Sequence, residues 1–364
     1  MAFSQDQFRA IISCHRRDAR ASAARSLLGV ASLGYGLAVH VRNALYDHRL
    51  LRTHRMNAIV LSVGNLTTGG TGKTPLVAWL CQTINQRSKI KNQNCQVAIL
   101  TRGYKMQEGE MSDEPALLSA QCPGVAVIVN PDRVAGAAEA IRAHGAQVLI
   151  MDDGFQHRRL ARDLDIVAID ATQPFGFGKM LPAGLLREPV AGLRRAHAVV
   201  LTRCDQLPQD TLEQIEEDVH RINHDLVIAR SIHSPVGIRM HEGTEIGVEE
   251  IRGKRLFAFC GIGNPQSFFH TVERLDSRLV GSRVYDDHYR YETSDLNRIR
   301  EEAVRQQAEM VLTTQKDWTK IAKLAGLQGH PPLAYLAVEL QIVAGAQELM
   351  ALIDRLLGGR MPHP

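Results

Sequence analysis

The chain has 364 residues, 45% hydrophobic, 23% charged and 5% aromatic, which excludes disordered, collagenous and coiled-coil classes and leaves room for roughly two domains. A net charge of +4 makes no strong demand for nucleic acid, and no stretch reaches the roughly 18 uninterrupted apolar residues of a membrane span. Six cysteines, at 14, 81, 95, 122, 204 and 260, form no C-x-x-C pair and suit reduced cytosolic thiols better than disulfides or a zinc site.

Residues 1–55 hold nine Arg and no Lys against Asp6, Asp18 and Asp47, an excess of +6, so the remainder is slightly acidic. Between Arg25 and Arg42 lies an uncharged run, SLLGVASLGYGLAVHV. As a helix it would be roughly 24 Å long, short of a hydrocarbon core of about 30 Å. It starts too late for a secretory signal and has no obvious cleavage site. Two readings stand: an ordinary buried helix, or a shallow membrane anchor with Arg on both flanks meeting anionic head groups. The joint presence of apolar centre and basic rims favours the anchor.

Ala58–Val63 (AIVLSV) reads as a buried strand, and the segment after Pro75 as a helix whose Leu76, Val77, Leu80, Cys81 and Ile84 share one face. The connection, Gly64-Asn65-Leu66-Thr67-Thr68-Gly69-Gly70-Thr71-Gly72-Lys73-Thr74, has the composition of a P-loop. Its backbone N–H groups would cradle phosphate, Lys73 would reach the β/γ-phosphates, and the Thr74 hydroxyl would ligate Mg²⁺. The strict Walker pattern asks for Gly at 67, where this chain has Thr67.

Strand-like runs follow at Val97–Thr101 and Val125–Val129, then a helix over Arg133–His144 closed by Gly145, then a strand over Gln147–Met151. That last run ends in Asp152-Asp153-Gly154, a Walker B pattern whose carboxylates would hold Mg²⁺ opposite Lys73. In the following Phe155-Gln156-His157-Arg158-Arg159, His157 is a candidate phosphate ligand or orienter of Asp153, or else a structural histidine. Further strands are expected at Asp165–Ile169 and Ala198–Leu201. The alternation predicts an α/β fold of the P-loop NTPase type: a mainly parallel sheet with helices on both faces and ligands at the carboxyl ends of its strands.

In Leu181-Pro182-Ala183-Gly184-Leu185-Leu186-Arg187-Glu188-Pro189, Glu188 is a candidate third acid for Mg²⁺, and Arg187 a candidate neutraliser of transferring phosphate. A plain surface loop is the competing reading. Thr202-Arg203-Cys204-Asp205 resembles the base-reading [NT]-K-x-D of GTPases, with Arg for Lys, or is simply a polar strand exit. Residues 229–245 break periodicity and read as a linker. The expected organisation is a membrane-associated N-terminal segment (1–55), a P-loop domain (56–228), that linker, and a smaller C-terminal α/β domain (246–364). The last contains strands at Arg255–Cys260 and Met310–Thr314, a helix at Gln266–Leu275, and a titratable, aromatic stretch, Tyr285-Asp286-Asp287-His288-Tyr289-Arg290-Tyr291.

The series G-N-L-T-x-G-G-T-G-K-T-P (64–75), R-G-Y (102–104), D-E-P (113–115), D-D-G-F-Q-H-R-x-L (152–160), L-P-A-G-x-L-R-E-P (181–189) and D-H-x-x-Y (287–291) is similar to that of the tetraacyldisaccharide 4'-kinase family of lipid A biosynthesis. The match runs in order from about residue 20 to about residue 320, and its D-D-G-F-Q-H and L-P-A-G-x-L-R-E-P strings make it specific. That family's P-loop also lacks the first Walker glycine. The resemblance implies transfer of the γ-phosphate of ATP to the 4'-hydroxyl of a tetraacyldisaccharide 1-phosphate, giving the bis-phosphorylated lipid A precursor, lipid IVA. It implies two α/β domains with the site in the cleft between them, and work at the cytoplasmic face of the inner membrane on a lipid disaccharide, with no obligate protein partner. It places Asp113 and His288 as an acid–histidine pair in the site, and the mechanism expected from this is that Asp113, oriented by His288, accepts the sugar hydroxyl proton. Arg133, Asp152, Asp153, His157, Arg187 and Glu188 fall on its other site positions: Thr74, one of Asp152/Asp153 and Glu188 around Mg²⁺, with Arg133 and Arg187 offsetting phosphoryl charge. The rival expectation is a membrane-associated P-loop ATPase or GTPase switch with no small-molecule acceptor.

Overall fold

The computed structural model describes residues 5–13, 18–90, 95–103, 113–241, 243–324 and 327–360. Tyr104 of the R-G-Y motif and Cys14 lie outside them. In chain order the elements are α1 (Gln5–Ile12), α2 (Ala19–Asp47), β1 (Ile59–Gly64), α3 (Lys73–Ile90), β2 (Val97–Thr101), α4 (Asp113–Gln121), β3 (Ala126–Val129), α5 (Arg133–His144), β4 (Val148–Asp152), β5 (Leu164–Asp170), β6 (Ala198–Thr202), α6 (Gln209–Ile222) and β7 (Val227–Met240). They continue with β8 (Glu245–Ile246), β9 (Arg255–Cys260), α7 (Pro265–Glu273), β10 (Arg278–Val284), α8 (Thr293–Arg305), β11 (Met310–Thr314), α9 (Gln315–Ile321), β12 (Leu333–Ala344) and α10 (Ala346–Arg360). The chain divides into two compact units: residues 1–102, 122–231 and 342–364 form the first, and 103–121 with 232–341 the second.

In the first unit the strands run β7–β6–β5–β1–β4–β2–β3, and each adjacent pair is parallel. Strand β1 lies between β4 and β5, with every residue buried, so the loop that leaves it opens where strand order reverses. Parallel strands covered on both faces need continuous apolar runs, and β1, β2, β4, β5 and β6 are buried throughout their length. Helix α3 buries the expected face completely, at Leu76, Val77, Leu80, Cys81 and Ile84. Helix α5 spans the predicted residues: Asp132 caps its start by accepting from the Val134 and Ala135 amides, and Gly145 ends it in the left-handed conformation.

In the second unit β10–β9–β11–β12 is also parallel, with α7 on one core cluster and α8 on another. Where the sequence suggests a linker, residues 227–240 form one long strand, β7. Its N-terminal part pairs with β6 and its C-terminal part turns back on β8. Pro235 falls between those two stretches, so its missing N–H breaks neither the β6 nor the β8 ladder. Helix α4 belongs to the second unit and α10 to the first, so both units are discontinuous in sequence.

Helix α2 covers the apolar run expected at 26–41, and Ala21 is its buried residue. One face is bonded to first-unit loops: Ser32 donates to Met180 O at 2.9 Å, Tyr35 to Arg187 O at 2.9 Å and Arg42 to Gln156 O at 2.9 Å. The other is an apolar stripe facing solvent, with Leu33 76% exposed and Leu27, Val30 and Leu37 comparably bare. That exposure removes the buried-helix reading. Among the described residues, no helix is long and apolar enough to cross a membrane.

Gly64 closes β1 against the turn after β4. A Cβ there would lie 2.4 Å from Phe155 Cβ and 2.7 Å from its backbone N, so the two motifs touch through a bare α-carbon. Gly64→Ala is expected to lower unfolding free energy by about 1–3 kcal/mol, read from the urea midpoint at unchanged m-value.

Candidate active site

The phosphate loop is held from outside. Gly69 and Gly72 take positive φ, which frees backbone amides to turn inward, while Thr67 pairs with Leu186 in an isolated antiparallel bridge. The glycine missing at 67 is thus not needed: that position is extended, and the turn is made by the glycines beyond it. The 181–189 loop runs along this segment. Thr68 N–H donates to Leu185 O at 2.8 Å and Arg187 N–H to Leu66 O at 2.7 Å. Inside the loop, fully buried Asn65 donates to Thr67 O at 2.6 Å and Thr71 Oγ1 at 3.0 Å. Arg187 donates to Asn65 Oδ1 at 3.1 Å, and Gln156 to its backbone O at 2.8 Å.

Two further supports come from the end of β6. Thr202 Oγ1 donates to Thr71 O at 3.0 Å, and Arg203 donates to Gly70 O at 2.7 Å. Arg203 is buried and ion-paired with Asp170 at the end of β5. The segment likened to a base-reading motif therefore braces the phosphate loop through its threonine and arginine.

Lys73 opens α3 with Thr74 in the same first turn, and Lys73 Nζ lies 3.6 Å from Asp153 Oδ1. Arg187 approaches the same oxygen at 2.6 Å. Burial alone would raise the Asp153 carboxyl, but Lys73, Arg187 and Arg133 outweigh it and hold the group at about 2. Asp152 ends β4 and is buried, and its carbonyl accepts from Arg133 at 3.0 Å. Arg133, itself buried, opens α5 and also donates to Asn130 O at 3.1 Å.

Glu188 is held by two side chains of the first unit. It is buried, gripped by Arg195 at 2.7 and 2.8 Å, and accepts from Gln156 at 2.6 Å. Arg195 stacks 3.7 Å from the centre of the Phe155 ring. Among the described residues no three His, Cys, Asp or Glu side chains gather as a metal-binding group, so Glu188 is not clustered with Asp152 and Asp153. Its charge is balanced by Arg195, whose guanidinium approaches both carboxylate oxygens.

His157 donates its backbone N–H to Gly154 O at 2.8 Å, and its Nε2 is buried without a partner among the described residues. Burial first, then the charges of Arg133 and Arg162, lower its imidazole to about 4.

The second unit holds the acid–histidine pair. Asp113 is the first residue of α4, and His288 Nδ1 lies 3.2 Å from its Oδ2. Burial raises the Asp113 carboxyl, but His288 and Lys320 outweigh it and hold it below the usual carboxylate range. Asp287, beside the histidine, is paired with Lys316 at 2.9 Å.

A lysine-headed loop at a parallel-strand switch point, facing strand-end aspartates, is the apparatus of a P-loop phosphotransferase. Comparison with known proteins narrows that class. The chain belongs to the tetraacyldisaccharide-1-P 4'-kinase family, whose model matches residues 24–358. A tetraacyldisaccharide 4'-kinase of Syntrophus aciditrophicus (strain SB) is 38% identical over 340 residues, spanning 87% of this chain and 89% of that protein. One of Halothermothrix orenii is 32% identical over 327 residues, spanning 82% and 83%. A crystal structure of LpxK from Aquifex aeolicus in complex with ATP superposes with a TM-score of 0.68 at 28% identity, covering 92% of this chain and 99% of that one.

The residues the sequence reading passed over are the supports: Asn65, Gln156, Arg195, Asp170 and Lys320. Asn65 carried a usable signal as a polar residue set directly against a buried strand, and Gln156 one as part of the D-D-G-F-Q-H string.

His157 supplies a pH test. Its unfolded value is near 6.5 and its folded value about 4, so between them the unfolded chain binds the extra proton. Stability is therefore expected to fall as pH drops from about 6.5 to about 4, with no further loss from this group below that. An imidazole proton NMR titration should give a midpoint near 4, and His157→Gln should flatten the stability profile in that window.

Proposed function

We propose that this chain is an ATP-dependent kinase that moves the γ-phosphate of ATP to the 4'-hydroxyl of a tetraacyldisaccharide 1-phosphate, forming lipid IVA. The observation that carries the reading is the first-unit constellation: a glycine-turned loop ending in Lys73, with Lys73 and Arg187 converging on Asp153.

Phosphoryl transfer asks for little covalent work and much positioning of charge. Of the Thr67–Gly72 loop, the amides of Gly69, Gly70 and Gly72 cradle the phosphate tail, those of Thr68 and Thr71 being bonded to Leu185 O and Gly69 O, and Lys73 reaches its terminal groups. Arg187 rests on a carboxylate that phosphate oxygens can replace, so it is poised to offset charge on the moving group, with Arg133 behind it. His157, kept neutral, adds a hydrogen-bonding group without adding charge. Glu188, locked by Arg195 and Gln156, fixes the turn that presents Arg187. Asp113, oriented by His288, accepts the proton of the attacking hydroxyl.

Thr74, Asp152 and Asp153 offer hydroxyl and carboxylate oxygens next to Lys73, a hard donor set that fits Mg²⁺. When bound there, that ion supplies charge neutralisation at the β- and γ-phosphates.

The substrate is lipid, and α2 supports work at a membrane surface. Its bonded face keeps it on the 156–187 loops while its exposed leucine stripe enters the acyl boundary, with Arg20 and Arg25 beside anionic head groups. The cytoplasmic leaflet of the inner membrane is the surface on which such a substrate and ATP coexist.

With labelled ATP, Mg²⁺ and a tetraacyldisaccharide 1-phosphate in detergent, label is expected on lipid; label released only as free phosphate would overturn the assignment. Lys73→Ala and Asp152→Ala should each cut transfer roughly a thousandfold or more with the fold retained by circular dichroism. Flotation with phosphatidylglycerol-containing vesicles should weaken markedly in Leu33→Asp/Leu37→Asp, while soluble ATP binding stays unchanged.

A further inference from the structure

Helices α4 and α9 pack antiparallel within the second unit, pinned at both ends. Gln121 donates to Gln315 at 3.2 Å at one end, and Lys320 meets Asp113 at 3.3 Å at the other. Two lysines one turn apart on α9 therefore reach the acid–histidine pair together.

Lys320 is nearly buried. Its Nζ lies 3.3 Å from Asp113 Oδ2, 3.3 Å from Asp317 Oδ1 and 5.8 Å from the centre of the Tyr291 ring. Asp317 cannot move to release it. It has no solvent exposure, and its Oδ2 accepts from the Gly261 amide at 2.9 Å and the Thr314 hydroxyl at 2.7 Å. The Asp317 amide donates back to Thr314 Oγ1 at 3.0 Å, so the carboxylate that holds Lys320 is part of the cap of α9.

Lys316 addresses the histidine. Its Nζ is 2.9 Å from Asp287 Oδ1 and 3.4 Å from His288 Nε2. An ammonium group has donors and no acceptor. The ammonium is closer to that ring nitrogen than the Asp287 carboxylate is, at 3.4 against 3.9 Å, which favours a lone pair there and the proton of a neutral imidazole on Nδ1, directed at Asp113 3.2 Å away.

We propose that Lys316 and Lys320 are positioning residues for acceptor activation: Lys316 fixes the Nδ1–H tautomer of His288, and Lys320 holds Asp113 as an oriented, ionised carboxylate. The proposal rests on the reading of Asp113 as the group that takes the hydroxyl proton. With His288 neutral, three carboxylates (Asp113, Asp287 and Asp317) face two ammonium groups. Removing Lys320 leaves Asp113 and Asp317 without the cation they share, while His288 stays on Asp113 and the Gly261 amide and Thr314 hydroxyl stay on Asp317. Protonation of Asp113 then comes more easily, and a protonated carboxyl cannot take the proton of the sugar hydroxyl.

The test is the pH dependence of kcat/KM in the full chain, with ATP, Mg²⁺ and the tetraacyldisaccharide 1-phosphate. In Lys320→Met the acidic limb should move up by about one pH unit or more, with activity largely recovered on the alkaline side, and Lys320→Arg should bring the limb back toward wild type. A Lys320→Met profile that superimposes on wild type, or that drops equally at every pH, overturns the role given to Lys320. Selective ¹⁵N-histidine NMR, with His288 assigned by the signal lost in His288→Gln, should show Nδ1 protonated and Nε2 bare in the wild-type protein, and a shift toward Nε2–H in Lys316→Met. An Nε2–H tautomer in wild type overturns the role of Lys316, and it needs no variant that folds poorly. Asp113→Asn separates the two layers. If it retains full activity, the base assignment itself fails. If it is inactive while Lys320→Met is unshifted, the lysine roles alone fail.

Discussion

A loop that aims several backbone N–H groups at one anion leaves carbonyls on its outer side, and in a buried setting each must find a donor. That requirement organises much of the first unit. Leu66 O is taken by the Arg187 amide, Thr67 O by Asn65, Gly70 O by Arg203 and Thr71 O by Thr202. The donors come from three separate places in the chain: the loop's own root, the 181–189 segment and the end of β6. Each is fixed in turn, Arg203 by Asp170 and Asn65 by Arg187 and Gln156. The phosphate loop is rigid because its exterior is hydrogen-bonded, which is the preorganisation that electrostatic catalysis relies on.

Charge is arranged on the same principle. Asp153 is answered by Lys73 and Arg187, Glu188 by Arg195, and Asp170 by Arg203, so each of these acids is met by at least one cation. The pairs differ in what they do. Those of Glu188 and Asp170 are buried and tie loops together, where breaking one partner would strand a charge. Those on Asp153 are more open and involve the two cations best placed for phosphate. The same division recurs in the second unit, where Asp317 is a fixed anchor and Asp113 the carboxylate that works. Helix α2 carries it to the surface, one face bonded to the 156–187 loops and the other left apolar and bare.

The amino-acid sequence alone determined the parts that depend on local pattern. Strand β2, helix α5 with its Gly145 stop, and strands β9 and β11 fall where periodicity and capping put them, because each is specified by neighbours within a few residues. The Lys73 loop and the Asp152–Asp153 strand end were legible for the same reason: their chemistry is written into contiguous residues. Tertiary structure decided what depends on residues far apart in the chain. The partners of Glu188, Arg195 and Gln156, come only with the fold, and Arg203 reads as a base-reader until its guanidinium is found on Gly70 O. Pro235 signals a break until residues 227–240 are seen as one strand, with its β6 and β8 pairings on either side of that residue. The two lysines beside Asp113 and His288 are invisible in sequence, since nearly 200 residues separate α4 from α9 and only their antiparallel packing brings a charge to bear on that pair. Local pattern fixes what a segment is. The partner of each buried charge is set by folding, because a charge out of water must be met by whichever group the packed chain brings within a few ångströms.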